Sequence, residues 1–190
     1  VGDLQVLCPS RKGDCGTGNL NIRLQAVLNP PSEGKEELRS YGRVLRQGDK
    51  VMQIKNNYDI PWEKDGENGT GIFNGDMGVI EKISRAENAV VIDFDGRKTV
   101  YPLESMSELE LAYAVTVHKS QGSEYPAVVI PILDAPPQLL YRNLLYTAVT
   151  RAKQLLILVG SREKISLMAE NNRKNRRYSA LESFLHNEKI

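Results

Sequence analysis

The residues "TVHKSQGSEY", 116–125, carry the densest chemistry of the 190-residue chain. Thr116, His118, Lys119, Ser120, Gly122 and Glu124 crowd between the apolar runs "LAYAV" and "AVVIPIL". A polar turn between two buried strands meets ligands at the rim where open α/β sheets bind them. Thr116 and Ser120 offer hydroxyl donors, and Lys119 offers a compact charge suited to phosphate. Gly122 lets a backbone approach closely, and Glu124 can accept from a sugar hydroxyl or a water. A polar cap between strand and helix is the plain structural alternative.

Three further stretches bear charge in suggestive places. "LLYTAVTRAK" sets Arg151 and Lys153 at the end of an apolar helix, before a buried strand. A cation there is favourable on dipole grounds alone, or Arg151 projects into a cleft to neutralise a transferring phosphoryl group. "LCPSRKGDCG" puts Arg11 and Lys12 in a glycine-punctuated loop after a strand, at the sheet rim, where a solvated basic loop is the commoner reading of an adjacent Arg-Lys pair. "FNGDMG" holds Asn74, Gly75 and Asp76 in a tight turn that opens a strand.

A nucleotide hydrolase of this kind needs a GxxxxGK[ST] loop, and the chain has none: Gly34-Lys35 is followed by Glu36. Nor does a carboxylate pair after an apolar strand suggest a Mg²⁺ site. ATP therefore cannot be held by these residues in that way alone, and another segment must supply the loop.

The elements that position these groups fall into three blocks. Residues 4–9 read as a buried strand and 19–29 as a helix presenting Leu20, Leu24, Val27 and Leu28 on one face. "PSEGKEELRSYG" reads as a polar linker. From residue 43 the apolar period becomes two, with Asp95-Gly96 as a two-residue hairpin turn and "NNYDIPWEKDGENGTG" as a polar loop around Trp62. Short antiparallel strands of this kind suggest a small barrel. After residue 108, apolar strands at 111–117, 127–133 and in "QLLILVG" alternate with a helix, which points to a parallel sheet covered on both faces. Two more helices are expected at the end, separated by the basic cluster "RKNRR" at 173–177. The simplest architecture is an α/β domain over 1–42 and 106–190, split by a β-barrel insertion over 43–105.

The bulk numbers constrain the setting. A formal net charge of +1 means that any attraction for nucleic acid must be local. The two cysteines, Cys8 and Cys15, have no second pair or nearby His to complete a zinc set, and read as free thiols. No run approaches the roughly 20 apolar residues that span a bilayer, and the N-terminal stretch lacks signal-peptide character. A cytoplasmic protein without membrane contact is expected. A chain that opens on Val1 with a buried strand already under way reads as a piece of a longer one.

Together the four stretches resemble the C-terminal motor half of superfamily 1 DNA helicases of the RecD-like branch. "TVHKSQGSEY" is similar to that family's motif V, "LLYTAVTRAK" to motif VI, "LCPSRKGDCG" to motif IV, and "FNGDMG" to the turn of an inserted barrel. The resemblance implies a second RecA-like domain with an SH3-like insertion. On it Arg151 is the arginine finger, with Arg11, Gly122 and Glu124 on the ATP side. Thr116, His118, Lys119, Ser120 and Asn74 face single-stranded DNA, and Trp62 either stacks on a base or caps the barrel core. ATP and Mg²⁺ are held mainly by a missing N-terminal RecA-like domain, so the segment alone is expected to be inactive. The implied polarity is 5′ to 3′, and the implied partners include other nuclease–helicase subunits. Two readings compete. A non-catalytic DNA-binding or partner-recruitment module accounts for the missing loop but has no use for a finger. A dinucleotide-binding oxidoreductase fails because Gly13, Gly16 and Gly18 do not match GxGxxG.

Overall fold

The computed structural model describes residues 3–40, 42–133 and 135–172. The basic cluster at 173–177 and the second of the two closing helices lie outside these.

β1 (Leu4–Cys8) is almost wholly buried and leads through a tight loop into α1 (Thr17–Leu28). Gly16 makes that loop possible: a Cβ there would sit 2.4 Å from the Lys12 carbonyl oxygen. The carbonyls of Ser10 and Arg11 accept from the amides of Thr17 and Gly18, which satisfies the first turn of α1.

A hairpin of β2 (Glu37–Ser40) and β3 (Arg43–Arg46) follows, where a linker was expected. Arg46 anchors it by pairing with Glu37 at 2.6 Å and donating to the Asn29 carbonyl.

Next come β4 (Lys50–Gln53), β5 (Asn57–Lys64), β6 (Glu67–Ile72), β7 (Met77–Ser84), β8 (Ala89–Phe94), β9 (Arg97–Pro102) and β10 (Leu109–Leu111). They form one antiparallel sheet ordered β10-β4-β7-β8-β9-β5-β6. Its alternating inward residues, among them Val51, Ile72, Ile80, Ile92, Phe94 and Tyr101, close around one buried cluster. The Asp95-Gly96 turn forms with both residues at positive φ. So does Asp65-Gly66, which converts the expected polar loop into the β5–β6 hairpin. Trp62 lies across Gly69, its register partner, where a Cβ would come within 2.3 Å of the ring. The indole packs against the barrel core.

β11 (Ala114–Thr116), β12 (Tyr125–Pro131) and β13 (Ala152–Val159) join β1 in a parallel sheet ordered β11-β1-β12-β13. This parallel sheet and the antiparallel unit before it correspond to the α/β domain and the small barrel that the sequence suggested. α2 (Arg142–Val149) and α3 (Arg162–Glu170) pack on one face, with Leu144, Ala148 and Met168 in the core. α1 covers the other face through Leu20 and Leu24. Coverage on that side is incomplete over the edge strand: Leu155, Ile157 and Val159 remain 40–50% exposed. α1 also departs from its expected face. Val27 is 77% exposed while Gln25 is buried.

Gln25 is drawn in by Asp49. That fully buried carboxylate accepts from Gln25 Nε2 at 2.5 Å, Asn29 Nδ2 at 2.7 Å, the Arg46 amide at 2.7 Å and Tyr113 Oη at 2.9 Å. Beside it Lys50 donates to Gln5 Oε1 at 2.8 Å, and burial lowers the pKa of that ammonium. These bonds lock α1, the start of the antiparallel sheet and the β10–β11 connection together. No helix among the described residues is long and apolar enough to cross a membrane.

Candidate nucleotide and nucleic-acid sites

Because β1, β11, β12 and β13 are parallel, the register sorts the candidate residues onto two opposite edges. Cys8 pairs with Thr116 at the C-terminal ends of β1 and β11. Tyr125 pairs with Ala152 at the N-terminal ends of β12 and β13. The stretch 116–125 therefore starts at one edge and finishes at the other.

At the C-terminal edge, Thr116 Oγ1 accepts from the Lys119 amide at 3.3 Å and starts a short 3₁₀ turn over Val117–Ser120. His118 is exposed on this turn. Ser120 is fully buried, and its hydroxyl donates to the Val117 carbonyl at 2.8 Å. Lys119 Nζ pairs with Glu110 Oε2 at 3.1 Å. The other oxygen, Oε1, takes Arg11 Nη2 at 2.7 Å and Arg43 Nη2 at 3.2 Å. Partial burial acts to raise the Glu110 pKa. The Lys119 hydrogen bond and the charges of Lys119, Arg11 and Arg43 outweigh it and hold the carboxyl below its usual value. A cavity of about 290 Å³ opens beside this cluster, lined by Arg11, Thr17, Asn21, Arg43 and Glu110 among others.

At the N-terminal edge, Gly122 takes φ +87° with open space where a Cβ would stand, and turns the chain toward β12. Arg151 lies just before β13. Its Nη1 donates to the Ser123 carbonyl at 3.1 Å, Nε to the Thr147 carbonyl at 3.2 Å, and Nη2 to Thr150 Oγ1 at 3.3 Å. Glu124 pairs with Lys153 at 3.1 Å, so that lysine belongs to β13 and not to the end of a helix. A groove of about 900 Å³ runs from here to the barrel, lined by Ser123, Glu124, Tyr125, Gly75, Asp76 and Arg97 among others.

The expected groupings are thus partly redrawn. Arg151, Gly122 and Glu124 share one edge. Thr116, His118 and Lys119 share the other, and Arg11 joins them instead of Arg151. Asn74 is exposed in a turn fixed by Asp76, which accepts from the Phe73 amide and from Arg97 at 3.0 Å each. Its neighbours Gly75 and Asp76 line the groove at the Glu124 edge, so the structure does not bring Asn74 to Lys119. Glu110 and Arg43 have no motif signal, and Ser123, although inside the 116–125 stretch, acts through its backbone carbonyl, which its residue type does not announce. Glu110 in particular looks like the outward residue of an alternating strand. Among the described residues no three Asp, Glu, His or Cys side chains gather as a metal set.

Comparison with known proteins gives these edges a context. Residues 20–94 match the family described as "ATP-dependent RecD-like DNA helicase SH3 domain", and residues 111–159 match "UvrD-like helicase C-terminal domain". The chain is 37% identical over 181 residues to the ATP-dependent RecD2 DNA helicase of Deinococcus radiodurans, covering 95% of this chain and 23% of that protein. It is 30% identical over 166 residues to the RecBCD enzyme subunit RecD of Mycolicibacterium smegmatis, covering 87% and 26%. The chain thus spans about a quarter of these relatives' length. In fold it is similar to the Bacteroides Pif1 helicase solved with ADP-AlF3 and ssDNA, at TM-score 0.59 and 17% identity over 98% of this chain and 45% of that one.

Proposed function

The chain belongs to the RecD-like branch of superfamily 1 DNA helicases, and from that premise we propose that it is the second RecA-like motor domain of an ATP-dependent DNA helicase moving 5′ to 3′. In this reading residues 1–42 and 106–190 form the motor domain and 43–105 the inserted barrel. The observation that carries it is the separation of the "TVHKSQGSEY" stretch onto two sheet edges, with Arg151 at one and Lys119 at the other.

At the N-terminal edge Arg151 acts as the finger, and Gly122 and Glu124 border the nucleotide. The Arg151 guanidinium is held by three neutral oxygens at 3.1–3.3 Å. Charge-assisted bonds to phosphate are shorter, at about 2.7–2.9 Å, and roughly twice as strong. When the two motor domains meet around ATP, Arg151 exchanges these oxygens for the γ-phosphate, and the closed state is favoured for as long as that phosphate remains. The phosphate loop that residues 1–190 lack is supplied by the first RecA-like domain. Mg²⁺ enters with ATP and is held there also. The segment by itself is inactive.

At the C-terminal edge Thr116, His118 and Lys119 contact the phosphates of single-stranded DNA. Ser120 holds their turn from beneath, and Asn74, on the barrel and away from Lys119, guides the strand at a separate point of its path. Alternating grip by the two domains advances the motor along one strand. Further partners are the first motor domain and, by analogy with relatives named as RecBCD subunits, other chains of a nuclease–helicase assembly in the cytoplasm. The test is ATP hydrolysis by the natural full-length chain carrying residues 1–190, with and without single-stranded DNA. Strong stimulation by DNA is expected, and hydrolysis indifferent to DNA would contradict the reading.

A further inference from the structure

Glu110 belongs to β10, the last strand of the antiparallel sheet, yet its carboxylate meets cations from three other places. Arg11 comes from the loop after β1, Lys119 from the turn after β11, and Arg43 from the β2–β3 hairpin. One acid among three bases leaves a formal charge of +2 at the C-terminal edge. The cations keep free donors: the Arg11 side chain is 63% exposed, and Lys119 has two ammonium hydrogens beyond its bond to Glu110. Glu110 itself is only 17% exposed and is fixed in place by its strand.

We propose that Glu110 is an internal competitor for DNA phosphate, a built-in counter-anion that weakens the grip of Arg11, Arg43 and Lys119 on single-stranded DNA. The inference rests on the assignment of this edge to DNA. A phosphodiester that reaches Lys119 or Arg11 must share the cation with a carboxylate already bonded to it, and the two anions repel one another at close range. A motor that releases each phosphate once per cycle needs such a limit on its hold. On this proposal Arg11, expected on the ATP side, and Arg43, which has no motif signal, both contact DNA phosphate through the cluster they form with Glu110.

The test measures binding of a fluorescent oligo(dT) by the natural full-length chain, as wild type, Glu110→Gln and Glu110→Asp, over a range of salt. Glu110→Gln removes the competing charge while keeping the shape. It is expected to bind three- to tenfold more tightly, an order-of-magnitude range reduced for exposure and screening. Its plot of log affinity against log salt should steepen by about 0.7, the value of one added phosphate contact on a single strand. Glu110→Asp keeps the charge and should stay within about twofold of wild type with an unchanged slope. Glu110→Gln binding no more tightly than wild type overturns the inference and leaves the DNA assignment standing. A wild type that does not bind oligo(dT) overturns both. If Glu110→Gln does not fold, Glu110→Asp decides: about tenfold weaker binding would make Glu110 a prop for the cations and not their competitor.

Discussion

Arg151 donates through Nη1 to the carbonyl oxygen of Ser123 at 3.1 Å, which joins the residue before β13 to the turn before β12. The Tyr125 amide returns a bond to the Arg151 carbonyl at 2.8 Å. The proposed finger is therefore fixed through its backbone, while its side chain is parked on weak acceptors. A residue held this way can swing its guanidinium without moving the sheet.

Lys119 and Ser120 are neighbours with opposite expected behaviour. Lys119→Ala should weaken binding of single-stranded DNA and flatten its salt dependence by about 0.7 in log–log slope. Ser120→Ala should leave that affinity unchanged, because the hydroxyl is buried and spent on the Val117 carbonyl. Its cost is stability, about 1 kcal/mol for one lost internal hydrogen bond. Titrations of both variants with oligo(dT), alongside denaturant melts, check the pair. Equal losses of affinity would contradict it.

Asp49→Ala should be among the most damaging single changes in the chain. It strands the buried donors of Gln25, Asn29, Tyr113 and the Arg46 amide at the junction of the two sheets. At about 1–3 kcal/mol for each buried group left unpaired, a loss of at least 3 kcal/mol is expected, partly relieved by entering water. Urea unfolding measures it, and a change under 1 kcal/mol would mean that the junction does not depend on this carboxylate.

Burial, and secondarily the nearby Cys15, push the Cys8 thiol up to about 12 from 9.0. Folding therefore favours the protonated thiol. The stabilisation is complete below pH 9 and is lost as pH rises from about 9 toward 12. At pH 8 a thiol reagent should modify the half-exposed Cys15 quickly and the fully buried Cys8 only on unfolding. Two equally fast cysteines would contradict this.

What the sequence made legible depended on local signals. The apolar runs at β1, β12 and β13 and the Asp95-Gly96 turn could be read because pattern and turn chemistry agreed. Asp65-Gly66 is the same kind of turn but was hidden by the polar strands around it. What makes that hairpin pack is a cross-strand relation, Trp62 over Gly69, which spacing along the chain does not reveal. α1 misled for a related reason. Its apolar residues suggested a face, but the unforeseen Asp49 network turned Gln25 and Asn29 inward and left Val27 outside. The motif residues were read from their types and spacing, and the family resemblance already divided them between an ATP side and a DNA side. The strand register shows where on the sheet the two groups lie, and the shared carboxylate of Glu110 puts Arg11 with Lys119. Glu110 carried no signal of its own, since three long-range partners define it.

The central claim is that Arg151 completes an ATP site whose other half lies on a different domain. The most direct measurement is steady-state ATP hydrolysis, with saturating single-stranded DNA, by the natural full-length chain as wild type and as Arg151→Ala, with nucleotide affinity measured in parallel. Turnover should fall by about 10³–10⁵ while nucleotide affinity changes only a few-fold. An Arg151→Ala variant that hydrolyses ATP at the wild-type rate would contradict the claim.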